Sequence, residues 1–393
     1  MMHTIEAFDR IGEENAFAVL ARAQALAASG KSVINLGIGQ PDFSTPDHIV
    51  DAAVKALKDG HHGYTDARGI PAVREGVARY TFGRTGVEIS PDNVLIVPGG
   101  KVTMFTAILM FGEPGADILY PDPGFPIYRS MIEFTGANPV PIPIIQENRF
   151  AFKAEDVLAR ITPATRLIIV NSPANPTGGV TPKVEIDALV KGLEAHPNVA
   201  IMSDEIYERM TYDANGPADN HVSLLTYPSI RDRLILLNGW SKTWAMTGWR
   251  MGWSIWPDGL YDNARKLAVN CWSCVNAPAQ WAGLAALDGP QEAVDDMMSA
   301  FAARRRLVVD GLNNLPNISC IEPEGAFYAF PDISKTGWQA KKLANTLLNE
   351  TGVALIGGPD FGTLGEGFIR ASYAASTVQI EEALGRMKGF LET

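Results

Sequence analysis

Six short apolar runs, many of them separated by stretches of helical periodicity, limit what this chain can become. They are "NVLIVPGG" (93–100), "ADILYPDPG" (116–124), "RLIIVNSP" (166–173), "NVAIMSDE" (198–205), "RLILLNGWSK" (233–242) and "MGWSIWP" (251–257). Helical patterns such as "KVTMFTAILMFG" (101–112) and "KVEIDALVKGLEA" (183–195) lie between them. Strands that are apolar on both faces and alternate with helices specify an α/β fold: a mostly parallel central sheet covered on both sides, a three-layer sandwich. Further helices are predicted at 16–29 and 46–60, the second with Pro46 at its start and Gly60 after its end. The last hundred residues change character. One long helix around 278–312 leads to "GAFYAFPD" (325–332), a helix at 337–350, "GVALIGG" (352–358), "GFIRASYA" (367–374) and a final helix. This reads as a smaller α+β domain.

In such sheets ligands bind beyond the carboxyl ends of the strands. The residues that follow the apolar runs therefore carry the most information. They include Gly99, Gly100 and Lys101, then Phe125, Asn175, Asp204, Tyr207 and Lys242. Arg250 comes eight residues after Lys242 in "GWSKTWAMTGWRMGW" (239–253). A lone lysine at a strand end suggests covalent catalysis through a Schiff base. Its natural partner, pyridoxal 5'-phosphate, needs an amine for its aldehyde, an acid for its ring nitrogen, donors for its phenolate oxygen and an anion site for its phosphate. These residues offer all four, since the Gly99–Gly100 turn precedes a helix whose N–H groups can hold an anion.

Other chemistries find less support. With a formal net charge of −11 the chain lacks the basic face that nucleic acid requires. "GIGQPD" (37–42) has no third glycine opening a helix, and "PGGKVT" (98–103) resembles a P-loop only in its Gly-Lys. No metal-ligand spacing and no serine–histidine–acid set is apparent. Three cysteines, an odd and sparse number, argue for a reducing compartment. Cys271 and Cys274 in "CWSC" read as core or interface packing, the run "RRR" (304–306) as a solvated helix face, and His61-His62 as an exposed turn. The start of the chain has no apolar h-region and no stretch is long enough to span a membrane, so a cytoplasmic enzyme is expected.

Seven segments in order bear a wider likeness. "NLGIGQPDF" (35–43), "GYTDARGIPAVREGVA" (63–78), "DPGFPIY" (122–128), "NSPANPTGG" (171–179), "SDEIYE" (203–208), "SKTWAMTGWRMGW" (241–253) and "FIRASYA" (368–374) resemble the class I/II aminotransferases, fold type I of the pyridoxal-phosphate enzymes. The resemblance is to aspartate aminotransferase-like members and spans essentially the whole chain. It implies an arm and part of a small domain in 1–45, a large cofactor domain in 46–290 and the rest of the small domain in 291–393. It implies that Lys242 carries the cofactor and moves the substrate α-proton. Asp204 faces the ring nitrogen, Asn175 and Tyr207 the phenolic oxygen, and Phe125 the ring. Gly100, Lys101 and Arg250 hold the phosphate, joined by Tyr64 from a neighbouring subunit, which implies a homodimer. Arg370 clamps the substrate α-carboxylate, beside Asn175 and the backbone of Gly39.

The implied reaction moves an amino group from an L-amino acid to a 2-oxo acid by a ping-pong route, in amino-acid metabolism or biosynthesis. A C–S lyase on the same scaffold is the alternative; a cofactor-sensing regulator would need an added basic domain. The family often has a serine three residues before the lysine, where this chain has Gly239; Ser241 leaves that contact open. The donor is expected to be aspartate, or a broad range that includes aromatic amino acids. A distal carboxylate needs a further cation, and Arg68 and Lys101 both lie in the motifs.

Overall fold

The computed structural model describes residues 2–392. Seven strands form the central sheet: β1 (Val94–Val97), β2 (Asp117–Asp122), β3 (Asn138–Pro143), β4 (Thr165–Asn171), β5 (Ala200–Asp204), β6 (Leu234–Gly239) and β7 (Gly252–Ile255). Their order across the sheet is β1-β7-β6-β5-β4-β2-β3. Strand β7 runs antiparallel to both β1 and β6, and the remaining pairs are parallel. Every residue of β1, β5, β6 and β7 is buried, as the two-sided apolar runs require.

Helices cover both faces. Lys101–Phe111, Ile127–Thr135 and Asp258–Cys271 pack Met104, Ile132 and Ala268 against Leu95, Ile169 and Leu237 of the sheet. On the opposite face Pro71–Thr85, Lys183–Leu193 and Ala277–Asp288 pack Val77, Leu189 and Ala282 with Ile96, Ile168 and Leu236. The three-layer reading is therefore observed.

The edge strand β3 lies outside the six apolar runs, because its sequence is "NPVPIP". The N–H groups of Asn138 and Ile144 donate to carbonyls at either end of β2, at 2.8 and 2.9 Å. Even-numbered positions thus face the sheet, and Pro139, Pro141 and Pro143 fall on the open side. A residue without an N–H is tolerated there and blocks further pairing.

The single helix predicted over 278–312 is two helices, Ala277–Asp288 and Glu292–Asn313. The break falls at Gly289-Pro290, where the ring of Pro290 disfavours helical backbone at Gly289. Residues Tyr328–Ala329, Ile369–Ser372 and Ile356–Gly357 form a small antiparallel sheet, accompanied by helices Ala340–Thr351 and Thr377–Leu391. Both chain ends enter this α+β part, since Ile34–Asn35 pairs in parallel with Val353–Ala354.

Two surface readings need correction. Arg304 and Arg305 are buried, and only Arg306 of the run is exposed. Arg304 holds Asp42 through two bonds of 2.6 and 3.0 Å, while Arg305 donates to the carbonyls of Pro323 and Asp213. A triple-arginine run on one helix spans more than one face, and two of its members point inward. Cys271 is exposed and Cys274 half-buried, so of the two readings of this pair, core or interface packing, the core one does not hold. His61 and His62 are exposed as expected. Among the described residues, no helix is long and apolar enough to cross a membrane.

Candidate active site

The carboxyl ends of the parallel strands open into a cavity of about 460 Å³. Lys242, Asp204, Asn175, Tyr207, Arg250 and Arg370 line it, together with Gly39, Gly100, Lys101 and Phe125. Residues from six of the seven motifs and from the Gly99–Gly100 turn, scattered over more than three hundred positions, are thereby brought together around one space.

Lys242 follows the end of β6. Its Nζ donates to the Gly39 carbonyl at 2.6 Å. Burial first, and then the Arg370 guanidinium, draw its pKa down to about 8. A neutral amine is thus within reach near physiological pH, as a nucleophile or proton carrier requires.

Asp204 ends β5 and is 2% exposed. Burial pushes its pKa up to about 6, opposed by the Tyr128 hydroxyl, which donates to Oδ2 at 2.5 Å, and by the Ile206 N–H on Oδ1 at 3.2 Å. Among the described residues no cation pairs with it. A buried carboxylate in this setting suits a protonated ring nitrogen.

Arg370 is 3% exposed, and its guanidinium carbon lies 4.6 Å from the ring centroids of both Tyr328 and Phe361. Its Nη1 donates to Asn175 Oδ1 at 2.8 Å and its Nη2 to the Gly37 carbonyl, while Nε is buried without a partner. Because Asn175 turns its oxygen to Arg370, its Nδ2 group has no protein acceptor among the described residues. Tyr207 shares a 2.8 Å hydrogen bond with Tyr328 across the cavity wall. Gly39, expected beside the substrate carboxylate, meets Lys242, and Gly37 takes the bond from Arg370.

The turn expected to hold an anion stands at the start of helix Lys101–Phe111. The N–H groups of Gly100 and Lys101 have no backbone acceptor among the described residues. Arg250 packs on this turn so closely that a Cβ at Gly99, whose φ is +94°, would lie 2.3 Å from Nη2. Gly99 thus lets a cation and a helix N-terminus meet. Ser241 is 8% exposed and lines the same cavity. At Gly239 a Cβ would stand 3.0 Å from Gly252 Cα and 3.1 Å from the Met251 carbonyl. The close approach of β7 explains why no serine stands there.

Two residues lie apart. Tyr64 is 94% exposed, away from this chain's own cavity. Arg68 is held by Asp66 at 2.7 Å and Asp92 at 3.3 Å and does not reach the cavity. The ring of Phe125 is edge-on to Tyr128, with centroids 6.0 Å apart.

Several cavity residues escaped the sequence reading. Asn171, beside Asp204 in the β4–β5 register, donates to the Asp204 carbonyl at 3.2 Å and accepts the Asn175 N–H at 3.1 Å. Tyr128 and Asn171 stand within quoted motifs and could have been read from them. Tyr328, Glu14 and Phe17 carried no signal, because they arrive from distant parts of the chain. Glu205, Glu208 and His221, which no spacing suggested, bring ligand-type atoms within 4.8 Å of one another outside the cavity. The Glu205 oxygens are taken up by Ser203, the Leu224 N–H and His221, and Glu208 Oε1 by Tyr80, with Arg84 4.0 Å from its Oε2. This is an internal hydrogen-bond network.

Comparison with known proteins agrees with this geometry. A family model described as aminotransferase class I and II matches residues 31–387. An aspartate/prephenate aminotransferase of Cereibacter sphaeroides is 37% identical over 391 residues, covering 97% of this chain and 96% of the relative. The crystal structure of an aspartate aminotransferase from Rhizobium meliloti superposes with a TM-score of 0.93 at 31% identity, over 100% of this chain and 99% of that one. An aromatic aminotransferase from Pyrococcus horikoshii gives a TM-score of 0.88 at 34% identity, over 94% and 98%.

Proposed function

Because the chain belongs to the class I and II aminotransferases, we propose that it is a pyridoxal 5'-phosphate-dependent enzyme that transfers the amino group of an L-amino acid to a 2-oxo acid by a ping-pong mechanism. The observation that carries this reading is the half-buried Lys242 amine, with its lowered pKa, in one cavity with Asp204, Arg370 and the Gly100 turn.

When bound, the cofactor supplies an aldehyde for an amine and a ring that takes up the electron pair from the bond broken at the donor α-carbon. The residues present fit it. Lys242 would offer the amine, and Asp204 would keep a ring nitrogen protonated. Asn175 Nδ2 and the Tyr207 hydroxyl would serve as donors to its phenolic oxygen, and Phe125 would support its ring. The N–H groups of Gly100 and Lys101 and the Arg250 guanidinium would hold the phosphate, with Ser241 as a further donor.

In the reaction Arg370 orients the donor by its α-carboxylate. The Lys242 amine would take the donor's α-proton at Nζ, and in the second half-reaction Nζ would return a proton to the α-carbon of the acceptor, so that no net proton is left on the lysine. Among the described residues lining the cavity, Arg370 is the one arginine left for an α-carboxylate once Arg250 is assigned to the phosphate, so the amino acid must leave as a 2-oxo acid before the acceptor enters. Sequential occupation of one site gives ping-pong kinetics.

Tyr64, exposed on the free chain, reaches the phosphate of a second copy in a homodimer on this reading. The sparse, unpaired cysteines support a reducing, cytoplasmic setting. The names of the relatives support aspartate and aromatic donors alike. Initial rates at several fixed acceptor concentrations test the mechanism. Parallel double-reciprocal lines with no ammonia release are expected. Ammonia and a 2-oxo acid appearing without any acceptor would support a lyase instead.

A further inference from the structure

Two charged side chains in the cavity have no task in the reaction proposed above. Glu14 immediately precedes helix Asn15–Ala28, and the Lys101 ammonium pairs with its carboxylate. Both side chains are partly enclosed, with 16% and 40% of their surface exposed. The Lys101 Nζ also lies 5.1 Å from the Phe17 ring centroid and 5.3 Å from that of Phe125. Among the described residues lining the cavity, the cations are Lys101, Lys242, Arg250 and Arg370. On the proposed reading the last three serve the α-proton, the phosphate and the α-carboxylate. Arg68, the other candidate for a distal carboxylate, is held outside by Asp66 and Asp92. Lys101 is therefore the remaining cation for a substrate side chain, and Glu14 already neutralises it.

We infer that the Glu14–Lys101 pair makes this site select amino acids with uncharged side chains. The inference rests on the aminotransferase reading and specifies its donor. An aspartate or glutamate side chain could reach Lys101 only by displacing Glu14, which would then stand as a like charge beside it. A cationic side chain would have to displace Lys101 in the same way. Separating a partly buried pair leaves an uncompensated charge, which is costly. An uncharged side chain leaves the pair intact and meets Phe17, Ile38 and Met104 on the cavity wall. The N–H groups at the start of helix Asn15–Ala28 further favour a negative Glu14 at this place.

The test uses the pyridoxal-phosphate-loaded enzyme and two readouts. One is kcat/KM for leucine, methionine, phenylalanine, aspartate, glutamate and arginine with a common 2-oxo acid. The other is calorimetric binding of two unreactive carboxylates, 3-phenylpropanoate and succinate. The best uncharged donor should exceed aspartate, glutamate and arginine by about tenfold or more, and 3-phenylpropanoate should bind about tenfold tighter than succinate. Glu14→Gln should move both ratios toward the dicarboxylate by a similar factor. A wild-type preference for aspartate, glutamate or arginine would overturn the inference, as would ratios that Glu14→Gln leaves unmoved. Absence of turnover with every donor would instead sink the aminotransferase reading, while the binding ratio would still decide the charge preference.

Discussion

The Tyr128 hydroxyl donates a 2.5 Å hydrogen bond to Asp204 Oδ2, and both residues are buried at the carboxyl end of the sheet. This bond opposes the burial that pushes Asp204 up to about 6. Tyr128→Phe should therefore raise the Asp204 pKa further and shift the acid limb of the kcat/KM profile to higher pH. A hydrogen bond to a charged group contributes about 1.5–3 kcal/mol, so the loss at pH 7 should be about tenfold to a hundredfold. A pH–rate profile of the variant with an unmoved acid limb would contradict the assignment.

Asp204 also makes a prediction about stability. Its folded pKa stands above the ordinary value of 3.8, so its contribution to the apoprotein is fully present below that value and is lost as pH rises through about 6. Above pH 6 a buried, unpaired charge must be carried. Asp204→Asn should then melt at the same or a higher temperature than wild type as apoprotein at pH 8, yet lose at least about a hundredfold in turnover when loaded, on the scale of a removed electrostatic stabiliser. Thermal melts of the apoproteins at pH 4 and pH 8, with rates alongside, check both signs.

The lowered pKa of Lys242 sets the pH at which its amine becomes nucleophilic. Capture of pyridoxal phosphate by the apoprotein should accelerate with rising pH around a midpoint near 8. Arg370 is the largest charged contributor to that lowering, so Arg370→Met should move the midpoint upward. Stopped-flow absorbance across pH 6–10 measures both; an unmoved midpoint in the variant would contradict the electrostatic account.

The Arg370 guanidinium lies over the rings of Tyr328 and Phe361 while bonding Asn175 and Gly37. A lysine keeps the charge but neither the fork nor the stacking. Arg370→Lys should therefore raise KM for amino acids by about tenfold or more, the cost of one lost charge-assisted bond. Steady-state kinetics with KM within twofold of wild type would argue against its role as the carboxylate clamp.

Arg304 and Arg306 stand two residues apart with opposite surroundings. Arg304→Ala strands Asp42 and should lower stability by about 1–3 kcal/mol, whereas Arg306→Ala should change it by less than about 0.5 kcal/mol. Urea denaturation of the two variants distinguishes an arginine buried against its partner from one on a solvated face.

The architecture was legible because its signal is local. Apolar runs on both faces and a polar residue just past each strand place Lys242, Asp204 and Asn175 at one end of the sheet without any coordinates. The edge strand β3 was not legible, because its prolines hide a strand whose pairing uses only alternate N–H groups. The Gly289-Pro290 break was visible but was read through. Tyr328, Phe17 and Glu14 carry no local signature, since their importance comes only from being folded over a cavity built elsewhere. The same is true of Arg304, whose partner Asp42 is 262 positions away in the chain.

The central claim is that Lys242 carries the cofactor, and chemical trapping tests it most directly. The loaded enzyme is reduced with borohydride, digested and mapped by mass spectrometry. The account predicts a reduced pyridoxyl phosphate adduct on the peptide containing Lys242, and none from Lys242→Ala treated in parallel. An adduct on a different lysine, or no adduct after saturation with pyridoxal phosphate, would contradict it.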